Sequence, residues 1–193
     1  MKYLKTTLSV LVATLAGLVI FALVPFILLY RLVNRFAVAK PDYTDIYAPY
    51  YAQLNPYGSA EEWANSKESA PPSAVNLYAV HQAYQAISGN GFTHFFEGAM
   101  GILAPEAAKG FAEIGMDDVA ALIHSAMARL GTPFPHNREA RQNIVKLEDG
   151  ALLKFEETSK FKALTGNPKK FGGAPRYYAF ANAYAAKHRP NQP

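Results

Sequence analysis

The longest uninterrupted hydrophobic stretch of the chain lies near its start. Residues Leu8 to Tyr30 form a run of 23 positions in which the closing tyrosine is the first ionisable side chain. As a helix the run extends about 35 Å, against roughly 30 Å of bilayer hydrocarbon. A helix on a soluble core normally keeps a polar face, and here only Ser9 and Thr14 interrupt the apolar surface. The pattern therefore predicts a single transmembrane helix, with Pro25 as a kink whose freed backbone groups neighbouring groups re-satisfy. A cleaved secretory leader is the competing reading, with Lys2 and Lys5 as its basic start and Ala37-Val38-Ala39 as its small-residue site. The length of the run and the position of Arg31 and Arg35 ahead of that site argue against cleavage, since leader cores hold about 7–15 residues.

Beyond Pro41 the polar and apolar positions mix at helical spacing, and strand-like alternation is scarce. Tyr43, Ile46, Tyr47, Tyr50, Tyr51 and Leu54 follow helical intervals that Pro49 interrupts. These tyrosines suit either a belt at the membrane interface or packing on the domain. Ser59 followed by Glu62 has capping-box spacing and opens a short helix carrying Trp63. A helix is predicted over residues 74–88, with Leu77, Tyr78, His81, Tyr84 and Ile87 on related faces and Gly89 as its stop. Asn90 to Gly101 suits a turn into a short buried helix. The next helix starts at Pro105, has Glu106 in its first turn and closes at Gly115. Asp117 then caps the clearest amphipathic helix, in which Val119, Leu122, Ile123, Ala126, Met127 and Leu130 share a face up to Gly131.

Helices are also predicted over residues 138–148, 151–164 and 176–188, and no solenoid-type repeat is present. The expected fold is all-α: an N-terminal single transmembrane helix followed by a compact multi-helix domain. Residues 1–40 form the anchor with basic flanks, 41–72 an aromatic-rich juxtamembrane segment, and 73–193 the helical domain with a basic tail.

Composition adds exclusions. The chain has no cysteine among 193 residues, which removes thiolate catalysis, thiolate-bound structural zinc and disulfides. Its net charge of +4 is unevenly distributed. The first 40 residues carry basic groups alone, residues 41–150 hold 13 acidic and 6 basic side chains, and residues 151–193 hold 8 basic and 2 acidic ones. The whole-chain balance is therefore no argument for nucleic acid, and the acidic body leaves room for a basic protein partner.

Motifs for nucleophile elbows, phosphate loops, zinc helices and dinucleotide binding are absent. His94 and Glu97 have the i, i+3 spacing of carboxylate–histidine metal sites, but no second pair accompanies them. The adjacent acids Glu61/Glu62, Asp117/Asp118, Glu148/Asp149 and Glu156/Glu157 do not face one another on a helix and read as caps or solvated faces. No catalytic, cofactor-binding or metal-ligating residue is assigned.

One region carries a resemblance. Asn90-Gly91-Phe92, Phe95-Phe96, Gly101, Ala104-Pro105-Glu106-Ala107, Ile114-Gly115 and Ala120-Ala121-Leu122, with Phe134-Pro135 and then Arg138 and Arg141, resemble the DNA-mimic-protein-like domain family of bacterial helical proteins. The likeness spans roughly residues 74–165, with His94 where glutamine is common in the family. It implies an all-α fold and, in the family's namesake, binding to a DNA-binding protein through an acidic surface. The motif residues it singles out, as structural or partner-binding positions, are Asn90, Gly91, Phe92, Phe95, Phe96, Gly101, Pro105, Glu106, Gly115 and Arg141.

The expected function is a membrane-anchored, non-catalytic protein-binding module, of the neutralising (immunity) or regulatory kind. It takes no cofactor, and its partners are the bilayer through residues 8–30 and another protein, not a small-molecule substrate or nucleic acid. Lys2 and Lys5 balance Arg31, Arg35 and Lys40 across the span. The short charged tail is awkward to translocate, which favours an inner-membrane protein with its body outside. Two other readings stay open: a membrane-bound enzyme using His94, Glu97 and His136, and contact with nucleic acid or acidic lipid through Lys160, Lys162, Lys169, Lys170, Arg176, Lys187 and Arg189, with Tyr177 and Tyr178 among them.

Overall fold

The computed structural model describes residues 43–147, 157–166 and 173–188, which form eight α-helices and no strand. These are α1 (Thr44–Tyr47), α2 (Ala60–Glu68), α3 (Pro72–Glu97), α4 (Ala104–Glu113), α5 (Asp117–Ala128), α6 (Arg138–Leu147), α7 (Glu157–Thr165) and α8 (Arg176–His188). Short 3-10 helices follow α1 and α3. The expected transmembrane run at 8–30 lies outside the described residues, among which no helix is long and apolar enough to cross a membrane.

Helix α3 is the element around which the others assemble: α1, α4, α6 and α7 all pack on it. Every residue from Ala74 to Val80 is buried, so its first two turns are covered on all sides rather than on one stripe. A helix in that position needs apolar or small residues at nearly every position, and Asn76 is the one polar residue in this stretch. Its amide donates to Glu113 Oε2 on α4 at 2.8 Å. The packing of α4 is equally close. A Cβ on Gly110 would lie 2.7 Å from both Asn76 O and Val80 Cγ2, so glycine there lets the two backbones approach.

The break in α3 falls at Gly91, which adopts φ +85° and ψ 173°. This left-handed region is open to glycine at little cost. Gly89, expected to stop the helix, instead lies inside it and is exposed. Glycine early in a turn signal is ambiguous, and here the following residues continue the helix. The Phe92 amide just beyond the break donates to Thr158 Oγ1 at 3.4 Å. The segment then presents Phe92, Phe95 and Phe96, all buried. Phe92 meets Phe161 of α7 edge-on with centroids 5.6 Å apart, and Phe96 lies 6.0 Å from Phe134. Each such side chain contributes about 1.5–3 kcal/mol on burial.

Helix α4 carries Pro105 and Glu106 in its first turn as expected. It closes in a Schellman motif: Met116 N donates to Phe111 O at 2.8 Å and Gly115 N to Ala112 O at 2.9 Å, with Gly115 at φ +84°. The cap of α5 differs from expectation. Met116 is the N-cap and Asp117 the first helical residue, with no side-chain cap bond, because the Schellman turn places residue 116 where the chain enters the helix. The capping box at α2 is present: Glu62 N donates to Ser59 Oγ at 3.1 Å, and Ser59 N to the Glu62 carboxylate at 2.6 Å. Helix α7 is described from Glu157, so the part expected from 151 to 156 lies outside the described residues.

The aromatic segment before α2 is divided in its fate. Tyr43, Tyr47, Leu54 and Trp63 enter the same core as the later helices, whereas Tyr51 and Tyr57 stay exposed. A substitution pair tests the role assigned to close approach. Gly110→Ala is expected to cost about 1–3 kcal/mol through overpacking against α3. Gly89→Ala, whose methyl meets nothing within 4 Å, is expected to be neutral or to stabilise by up to about 1 kcal/mol. Chemical denaturation of the two variants measures both, and equal effects would refute the packing argument.

Candidate functional site

The C-terminal end of α3 is buried, so its carbonyls need donors from elsewhere. Arg141 of α6 supplies them. Its side chain is 1% exposed, and it donates from Nε to Phe96 O at 2.9 Å and from Nη2 to Gly98 O at 3.1 Å. Nη1 donates to His136 O at 2.6 Å and to Pro135 O at 3.3 Å. Also from α6, Arg138 one turn earlier and the adjacent Gln142 donate to Glu97 O at 3.1 and 3.0 Å. Gly101 makes room for this arrangement, because a Cβ there would stand 2.9 Å from Arg141 Nε and 2.8 Å from Phe96 O. Burial and the neighbouring Arg138 pull the Arg141 pKa down to about 10, which still leaves a full cation at neutral pH. The helix-end dipole offsets part of that charge; no carboxylate pairs with it among the described residues.

Beside this knot lies an open groove of about 750 Å³. The loop Pro56–Ala60 forms one wall, α6 the other, and Ala99 and Ile102 lie between them. The α6 wall contributes Arg138, Gln142, Asn143 and Lys146, with Asn137 and His136 just before the helix. Tyr57, 74% exposed, lies on the loop wall. A second, smaller depression of about 430 Å³ is lined by Glu113, Tyr184, Lys187 and His188 among others. There Tyr184 donates to Glu113 Oε2 at 3.1 Å, and partial burial with the adjacent carboxylate pushes its phenol up to about 12.

A third polar centre is closed. The Tyr43 hydroxyl lies 2.7 Å from His81 Nδ1 and 3.0 Å from the Tyr177 hydroxyl. Tyr43 N also donates to Asn182 Oδ1 at 3.0 Å, so the first described residue is fastened to α8 at two points. Burial raises both phenols well above the usual tyrosine range and lowers His81 below its ordinary 6.5. Such groups stay neutral and act as hydrogen-bond partners rather than as acids or bases.

The residues singled out in the sequence fall mostly inside. Phe92, Phe95, Phe96, Gly101 and Arg141 are buried, Gly91 forms the α3 break and Gly115 the α4 cap. Pro105 is half-buried, Asn90 is exposed, and Glu106 pairs with Lys67 at 2.6 Å. His94 is exposed, and no hydrogen bond or ion pair joins it to Glu97. Among the described residues no three His, Asp or Glu side chains converge as a metal site. Of the basic-aromatic tail, Tyr177 is buried and Arg176 is spent on Leu164 O at 3.0 Å and Asp118 at 3.6 Å, so neither serves as a stacking platform. Lys169, Lys170 and Arg189 lie outside the described residues. The groove had no sequence signal, because its two walls are some 80 residues apart in the chain.

A family model described as DMP19-like protein matches residues 68–185. No curated protein and no solved structure matches the chain.

Two outcomes follow from the buried polar groups. Arg141→Met, which strands several buried carbonyls, is expected to cost about 3 kcal/mol or more, measured by denaturation against Arg138→Gln as an exposed control; equal costs would contradict the knot. His81 has a depressed folded pKa, so the unfolded chain takes up its proton first as pH falls through 6.5. Stability is therefore expected to drop between pH 7.5 and 5, and Tm of His81→Gln should fall less steeply over the same range. Parallel Tm profiles would show that His81 does not carry the linkage.

Proposed function

The chain belongs to the DMP19-like protein family, and on that footing we propose that it is a non-catalytic, membrane-anchored module that binds another protein. The observation that carries the reading is the contrast between closed and open polar chemistry. Of the titratable groups with displaced pKa values, the Tyr43–His81–Tyr177 cluster is engaged inside the fold, the Arg141 guanidinium is spent on backbone carbonyls, and Tyr184 at the smaller depression is bonded to Glu113. The accessible polar surface is instead an open groove with amides, cations and an exposed tyrosine. Aromatic and arginine side chains beside polar amides are the usual material of protein-binding surfaces. An active site would hold, where substrate can reach it, an acid or base whose pKa is moved toward neutrality, whereas that of Tyr184 is moved away from it.

The apolar run at 8–30 supports the anchor. The short N-terminal tail with Lys2 and Lys5 favours a single-pass inner-membrane protein whose helical body faces the periplasm. Such a placement suits a regulatory partner or a protein that neutralises another at the membrane. In cells, a photo-crosslinking residue at position 57 is expected to capture one protein that the same residue at Ser125, exposed on α5, does not, and the chain is expected to stay in carbonate-washed membranes. Identical capture from both positions would defeat the binding-module reading, and release by carbonate would defeat the anchor.

A further inference from the structure

The groove has a charge opposite to that of the body around it. Residues 41–150 hold 13 acidic and 6 basic side chains, and three of those six, Arg138, Arg141 and Lys146, line this one groove. Glu139 is the single carboxylate in the lining. Of the other three, Lys67 and Lys109 are matched to Glu106 and Glu113, and Arg129 stands alone among the described residues at the end of α5. The three groove cations have no ion pair among the described residues. A fully buried guanidinium without a counter-ion is an expensive arrangement, and Arg141 lines an opening through which one can arrive. Its Nη2 makes a single hydrogen bond, to Gly98 O, so one of its hydrogens has no acceptor among the described residues.

We propose that this groove binds a short acidic segment of a partner protein, in extended form, with its carboxylates on the exposed Arg138 and Lys146 and its backbone passing over the buried Arg141. This rests on the protein-binding reading above and adds the chemistry of the bound segment. Arg138 and Lys146 are eight residues apart, about 12 Å along the helix axis. Residues four positions apart on an extended strand lie on one side and about 13 Å from each other, so a segment with acids at alternate positions sets two of them against these two cations. Asn137 and Asn143 are exposed on the same wall, and Gln142, whose amide nitrogen is held by Glu97 O, keeps its oxygen as an acceptor. These amides suit the backbone of an extended peptide. A long polyanion is a poor occupant, because beyond the groove it runs over a body in which acids outnumber bases. A free phosphate is a poor one too, because the two exposed cations, about 12 Å apart along the helix axis, are too far apart to share one small ion.

The test is fluorescence anisotropy on the full-length chain in detergent, with a fluorescein-labelled hexapeptide alternating Glu and Ser as probe. Saturable binding is expected, weakened by rising salt and absent for the peptide with Gln in place of Glu. Arg138→Gln/Lys146→Gln, both exposed positions, is expected to weaken binding at least tenfold with Tm unchanged, while Glu61→Gln on α2 leaves it as it was. No saturable binding, equal binding by the double variant, or stronger displacement by inorganic phosphate or single-stranded DNA than by unlabelled peptide would overturn the proposal. If position 57 still captures a protein in cells after such a failure, the acidic segment is wrong and the binding module stands. If both fail, the groove is not an interface.

Discussion

A helix that ends inside a protein leaves carbonyls with no water to receive, and the fold depends on how α3 meets that constraint. Arg141 reaches across from α6 and takes carbonyls from both sides of the α3 end and from the loop that leads into its own helix. One side chain thus holds the end of α3 to the loop before α6, some 40 residues away in the chain. Gly101 is glycine because the guanidinium occupies the place of its side chain. The geometry costs a buried charge, offset by several charge-assisted hydrogen bonds and by the dipole of the helix it terminates.

The same logic recurs in neutral form around α3. Asn76 is buried against α4 and satisfied by Glu113, which also receives Tyr184 from α8. His81 is satisfied by Tyr43 and Tyr177. Helices far apart in sequence are therefore tied by specific polar contacts within an otherwise apolar and aromatic interior. Polar groups in a core discriminate among packings that apolar contacts alone would leave close in energy. The aromatic contacts among Phe92, Phe96, Phe111 and Phe161 supply the burial that makes the arrangement stable.

Function is then read from what the interior does not consume. Residues 41–150 are acidic overall, yet three of their six cations lie on α6 with no ion pair among the described residues. That helix lies next to a loop held in place by the α2 capping box, so both walls of the groove are anchored to regular structure. Charge and shape of this kind are what the proposed binding reading rests on.

The periodicity of α5, the Ser59–Glu62 box, Pro105 in the first turn of α4 and the closing Gly115 were all legible in the sequence, because caps, turns and amphipathic spacing depend on residues a few positions apart. So was family membership, through an ordered string of aromatic, glycine and proline residues. Other features were not legible. The α3 break shifted from Gly89 to Gly91, because both glycines satisfy local rules and only Thr158 and the phenylalanine packing select one. Burial of α3 on all sides, the Tyr43–His81–Tyr177 cluster, the knot at Arg141 and the cationic groove each join residues dozens of positions apart. Local sequence determined which segments are helices and where most of them stop; tertiary structure alone decided which polar side chains are satisfied inside and which cations are left facing an opening, because hydrogen bonding and charge pairing depend on distances in space.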